Sequence, residues 1–175
     1  MNILAISGSL RKGSSNTTLL AALKLLAPAD VDITLFEGLA SLPHFNPDDD
    51  GEENAPTTVM GFRNQLQQCD GVLISSPEYA HGVPGSLKNA LDWIVSSGEL
   101  YKKPVALINA SSRATHAQAS LIEIINTMGA MLTFETVALD GKRMEAVEIV
   151  SEPVIARQVR SAILEFVEAI KNGRS

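Results

Sequence analysis

Between a short apolar run and an amphipathic stretch, the segment Gly8-Ser9-Leu10-Arg11-Lys12-Gly13-Ser14-Ser15-Asn16 collects groups that bind phosphate. Two glycines allow tight turning. Hydroxyl and amide side chains and Arg11 supply donors, and the start of a helix adds free N–H groups and partial positive charge. Gly8 and Gly13 have the spacing of a nucleotide-hydrolysing P-loop, but Ser14 stands where that loop needs its lysine. A dinucleotide motif needs a glycine where Leu10 stands. A single phosphate held by hydroxyls and backbone meets neither objection. The plainer alternative is a strand-to-helix turn capped by one Ser or Asn. Capping, however, requires only one of these residues.

A second segment, Ser76-Pro77-Glu78-Tyr79-Ala80-His81-Gly82-Val83-Pro84-Gly85-Ser86, is stiffened by two prolines and punctuated by two glycines. It provides a rigid backbone wall with exposed N–H and C=O groups, which suits the polar edge of a flat aromatic ligand. A purely structural turn remains the alternative. His44, His81 and His116 show no metal-ligand spacing, so no metal is expected. His81 and His116 are the only plausible proton donors, against the plainer reading of surface imidazoles. Cys69 is the sole cysteine, which excludes an intrachain disulfide, and it reads as a small buried hydrophobe.

These loops need strands and helices to hold them. Asn2–Ile6, Val31–Phe36, Gly71–Ser76, Pro104–Asn109 and Leu132–Val137 read as five strands. Helices are expected over Asn16–Ala27 and Ser86–Ser97. Another follows from the stripe Val59, Phe62, Leu66, Cys69. A further one follows from Ala117, Leu121, Ile124, Ile125 and Met128, with Gly129 as its C-cap. A last helix carries Val159, Ile163, Phe166, Val167 and Ile170. Trp93 reads as core or interface packing. The stretch Leu42–Pro56 holds three prolines and five acidic residues and reads as an exposed, solvated loop. Apolar strands alternating with helices imply a doubly wound, five-stranded parallel sheet with helices on both faces. Its ligands belong at the carboxyl ends of the strands, near the point where strand order reverses.

The 175 residues suit a single domain, and 45% hydrophobic content suffices for a sizeable core. A net charge of −6 and the lack of Lys/Arg runs argue against nucleic acid. No apolar stretch approaches the roughly 20 residues that span a bilayer, and no signal peptide is readable at the start. A soluble, cytoplasmic protein without membrane contact is the expectation.

Together, G-S-L-R-K-G-S-S-N at Gly8–Asn16 and P-E-Y-A-H-G-V-P-G-S-L-K-N-A-L-D-W at Pro77–Trp93 resemble the NADPH-dependent FMN reductase family, with its related azo-, quinone- and chromate-reducing flavoproteins. The likeness runs from Met1 to about Met128. It implies a flavodoxin-like fold and a bound FMN. Electrons would pass from NADPH or NADH to a small acceptor (flavin, quinone, azo compound or metal oxyanion) in ping-pong fashion. It implies that Ser9, Arg11, Ser14, Ser15, Asn16 and Thr17 hold the FMN phosphate. Pro77, Glu78, Tyr79 and Ala80 would line the isoalloxazine ring, with Ser111 and Ser112 on a further flavin-contacting loop. Hydride transfer to flavin needs no protein nucleophile or base, so no catalytic side chain is named. The resemblance also implies a homodimer or homotetramer with the Ser86–Ser97 helix at the interface. The chain departs from the family where Ala80 replaces a common Asn. Its fourth-strand loop also carries Arg113 and His116 in place of paired glycines. Alternatives from other classes are a flavodoxin-type electron carrier and a non-catalytic FMN-binding protein.

Overall fold

The computed structural model describes residues 1–51, 54–137, 139 and 143–173. Five strands, β1 (Asn2–Ser7), β2 (Asp32–Leu35), β3 (Gly71–Ser75), β4 (Pro104–Asn109) and β5 (Met131–Thr136), form one sheet. Every pairing is parallel and the order is β2-β1-β3-β4-β5. This is the flavodoxin-like order, with its reversal between β1 and β3.

Both faces of the sheet are buried, which explains the near-continuous apolar runs of the strands. Ile3, Ala5, Leu73, Ala106 and Ile108 point to one face. There they meet α1 (Ser15–Leu26), α5 (Ala146–Ser151) and α6 (Pro153–Gly173). Leu4, Ile6, Val72, Ile74, Val105 and Leu107 point to the other, under α2 (Thr57–Gln68), α3 (Gly85–Asp92) and α4 (Thr115–Thr127). The α6 helix lies so close to the sheet that a Cβ on Gly71 would come within 2.6 Å of Ile170 Cδ1 and 2.9 Å of Phe166 Cζ.

Helix boundaries follow local chemistry. Ser14, in extended conformation, caps α1 by accepting the Asn16 N–H, and the helix stops at Ala27, just before Pro28. Gly129 ends the α4 segment at φ 72°, in the left-handed region that glycine adopts most readily.

Two sequence expectations are corrected, and one element was not anticipated. The third helix ends at Asp92, well before Ser97. Its apolar side, with Leu87, Ala90, Leu91, Trp93 and Ile94, is spent on the chain's own core. Trp93 is 0% exposed, its indole N–H donates to the Pro43 carbonyl at 2.8 Å, and Phe45 meets its ring edge-on. The stretch after Leu42 is therefore not simply exposed. Leu42 is buried, and Asp50 pairs with the buried Arg63, whose guanidinium also donates twice to the Trp93 carbonyl. Asp48 and Asp49 are solvated, as expected. Helix α5, secured by a capping box between Glu145 and Glu148, has too few residues to show a periodicity in sequence.

Candidate functional site

The strand order sets the carboxyl ends of β1, β3 and β4 side by side, so three loops converge. The first two are held together at Gly8. Its N–H donates to the Ser75 carbonyl at 2.8 Å, and a Cβ there would lie 2.6 Å from Ser76 Oγ. Only glycine permits this approach without moving the second loop.

In the first loop, Gly13 has φ 66° and turns the chain into α1. Arg11 Nη2 donates to the Gly13 carbonyl at 3.2 Å, which folds the guanidinium back over the turn. The Arg11 N–H donates to Ser9 Oγ, and Thr17 Oγ1 lies 2.8 Å from Ser7 Oγ. Ser14 and Asn16 are only 3% and 7% exposed. Ser14 is engaged as the helix cap, and Asn16 Oδ1 accepts the Ser75 hydroxyl at 2.9 Å, tying α1 to β3. Ser9, Arg11, Ser15 and Thr17 retain accessible surface.

The second loop is a small hairpin. Tyr79 and Gly82 exchange backbone hydrogen bonds, and Ala80 and His81 between them have φ of 48° and 59°. Two successive left-handed residues are the signature of the tight turn that usually carries Asn-Gly. Glu78 reaches across to the third loop, where its Oε2 accepts the Ala117 N–H at 2.8 Å. The α4 helix has Ala114 at its N-cap and no cap of its own from that residue, so Glu78 supplies it from another loop. His81 also stacks on His116, with centroids 4.3 Å apart and planes 8° from parallel. Ser111 is positioned by its N–H donating to Asn109 Oδ1 at 2.9 Å. Sequence reasoning missed Asn109 and the capping role of Glu78, because neither has a signal outside the folded arrangement.

Two clefts open here. One, of about 420 Å³, brings Ser15, Asn16, Pro77, Glu78 and Ser111 together with Arg113. The other, of about 310 Å³, holds Ser9, Arg11 and Thr17 with Phe36. Ser14, Tyr79, Ala80 and Ser112 line neither; Tyr79 is 56% exposed beside them. Among the described residues, no three His, Cys, Asp or Glu side chains converge as metal ligands. Cys69 lies at the opposite end of the sheet, where burial raises its thiol pKa against the lowering pull of Lys103.

Hydroxyl, guanidinium and N–H donors at a helix start, opening onto a cleft walled by a rigid second loop, invite comparison with known proteins. The sequence profile of the NADPH-dependent FMN reductase family matches residues 1–143. The chain belongs to this family. Among family relatives, the quinone reductase of Escherichia coli K12 is 40% identical over 114 residues, 64% of this chain and 60% of that protein. An NAD(P)H-dependent FMN reductase of Pseudomonas aeruginosa is 36% identical over 114 residues, 64% of this chain and 60% of its own length. The chain thus spans about 60% of these curated relatives. Among solved structures, the Paracoccus denitrificans flavoenzyme FerB, an NAD(P)H:acceptor oxidoreductase, superposes with a TM-score of 0.82 at 27% identity, covering 98% of both chains.

Proposed function

We propose that residues 1–175 form one FMN-binding unit that oxidises NADPH or NADH and reduces a small acceptor, with quinones and flavins the classes its relatives' names favour. The observation that carries this reading is the convergence of the Gly8–Thr17 turn, the Pro77–Ala80 hairpin and the Ser111 loop on one set of strand ends. The residues fit the cofactor. Ser9, Arg11, Ser14, Ser15, Asn16 and Thr17 would bind its phosphate, assisted by the N–H groups that open α1. Pro77, Glu78, Tyr79, Ala80, Ser111 and Ser112 would wall its ring system. Held there, FMN would supply hydride acceptance from the nicotinamide and two-electron delivery to the acceptor. The protein's part is to bind, orient and restrict water.

The test is titration of flavin-free protein with FMN, riboflavin and FAD. Charge-assisted hydrogen bonds contribute about 1.5–3 kcal/mol each. Loss of the phosphate should therefore weaken binding on the order of a hundredfold or more. Equal affinity for FMN and riboflavin would reduce the loop to a capped turn. Anaerobic bleaching by NADPH and steady-state NADPH oxidation separate an enzyme from an electron carrier or a silent FMN binder. Parallel double-reciprocal lines would support ping-pong turnover.

Cytoplasmic residence is kept as part of this reading; among the described residues no helix is long and apolar enough to cross a membrane. A homodimer or homotetramer is retained from the family likeness. Its interface must use surfaces other than the apolar side of α3, which the core consumes. Sedimentation at micromolar concentration decides it.

A further inference from the structure

A third cleft, of about 470 Å³, shares Arg11 and Lys12 with the one at Phe36 and lies between the first turn of α1 and the segment that opens α5. Arg11, Lys12 and Arg143 line it, and none of the three forms an ion pair with a described residue. In a chain of net charge −6, three unpaired cations around one concavity mark a site for a multiply charged anion. Two carboxylates share the cleft, and both are fixed. The Glu145 side chain accepts the Glu148 N–H, while Glu148 Oε2 accepts the Glu145 N–H at 2.7 Å. Each keeps lone pairs for hydroxyl donors. Cations for a phosphate beside carboxylates for hydroxyls make up the chemistry of a phosphorylated ribose.

Arg11 and Lys12 line the cleft at Phe36 as well, whereas Arg143 lines only this one, so the flavin cradle does not account for it. This cleft also shares Ser15 with the one walled by Pro77 and Ser111, so a dinucleotide spanning both would have its nicotinamide at the strand ends. We propose that Lys12 and Arg143, with Arg11 at the rim, form a subsite for the 2′-phosphate of NADPH and make it the preferred donor over NADH. This inference rests on the flavoenzyme reading. The same phosphomonoester chemistry could be presented by free FMN arriving as acceptor, and the test separates the two sources.

FMN-loaded protein is titrated calorimetrically with adenosine 2′,5′-bisphosphate and with adenosine 5′-monophosphate. The bisphosphate should bind at least about tenfold tighter, the value of one charge-assisted hydrogen bond. Arg143→Gln should erase most of that difference while leaving FMN affinity unchanged, and Lys12→Gln should erase most of it as well. In turnover, each should lower kcat/KM for NADPH about tenfold and for NADH less than about twofold. Equal binding of the two adenylates, or variants that do not alter the ratio, overturns the proposal. So does loss of FMN in step with the bisphosphate, which would make the cleft part of the cradle. Variants that discriminate against FMN over riboflavin as acceptor, with the NADPH to NADH ratio intact, also overturn it. Wild-type protein that binds neither FMN nor oxidises NADPH refutes the flavoenzyme reading separately, and the calorimetry on unloaded protein still decides the subsite.

Discussion

Glu78→Ala should destabilise the protein without touching its core. The carboxylate is the acceptor for the Ala117 N–H, and Ala117 is 1% exposed, so water does not replace the lost partner. Loss of a helix cap costs about 0.5–2 kcal/mol, and removing a negative charge from a helix start adds about 0.3–1 kcal/mol. The expected loss is about 2 kcal/mol, or about 4–8 °C in Tm for a chain of this size. Glu78→Gln retains a carbonyl acceptor at the same reach and should lose only about a third of that. Thermal unfolding of the flavin-free proteins, followed by circular dichroism, measures both. FMN affinity should fall with Glu78→Ala as well, because the cap holds the Ser111–Ala114 loop against the cleft. If Glu78→Ala melts within about 1 °C of wild type, or Glu78→Gln is equally harmful, the contact does not cap α4 in solution.

Other outcomes follow from the same geometry. Ala80→Asn should stabilise by about 0.5–1 kcal/mol, because Asn tolerates the φ of 48° better than Ala, and a lower urea midpoint would contradict the hairpin geometry. Gly8→Ala should cost about 1–3 kcal/mol and weaken FMN binding, since the new methyl must displace the Ser76 hydroxyl; Ser76→Gly in the same chain should restore much of the loss. Burial raises the Cys69 thiol pKa, so the native state holds that proton more tightly than the unfolded chain does. Its stabilising contribution is complete below the unfolded thiol value and is lost as pH rises past that value toward the folded one. As pH rises above about 8.5, wild-type stability should therefore fall more steeply than that of Cys69→Ala, and native protein should resist alkylation until it unfolds.

The sheet was legible because each strand is short, apolar and followed by a helical stripe; the alternation in β1 of Ile3 and Ala5 against Leu4 and Ile6 is visible only once both faces are known to be covered. The turn from β1 into α1 was legible because Gly8, Gly13 and Ser14 act locally, within a few residues of one another. Arg63 was not. A guanidinium on an amphipathic helix reads as solvated, and its burial depends on Asp50 and the Trp93 carbonyl, which are distant in sequence. The extent of α3 was misjudged for a related reason. Apolar periodicity persists through Ile94, but the side chains beyond Asp92 pack from turns. Glu78 is a third case, since a cap donated by a different loop leaves no spacing to recognise.

The close fit of α6 against Gly71 bears on the order in which the chain can be completed during synthesis. Every residue proposed for the flavin lies at or before Ser112, so the ribosome releases the whole cofactor site early. The 21 residues of α6 emerge well after them, and until then Leu73, Ala106 and Ile108 lack the cover that α6 gives that face beside α1. A nascent chain at that stage presents a broad apolar surface, the kind that recruits chaperones or sticks to its neighbours. Arrival of Phe166 and Ile170 over the glycine completes the cover of that surface, which makes docking of α6 the event that ends this vulnerable stage.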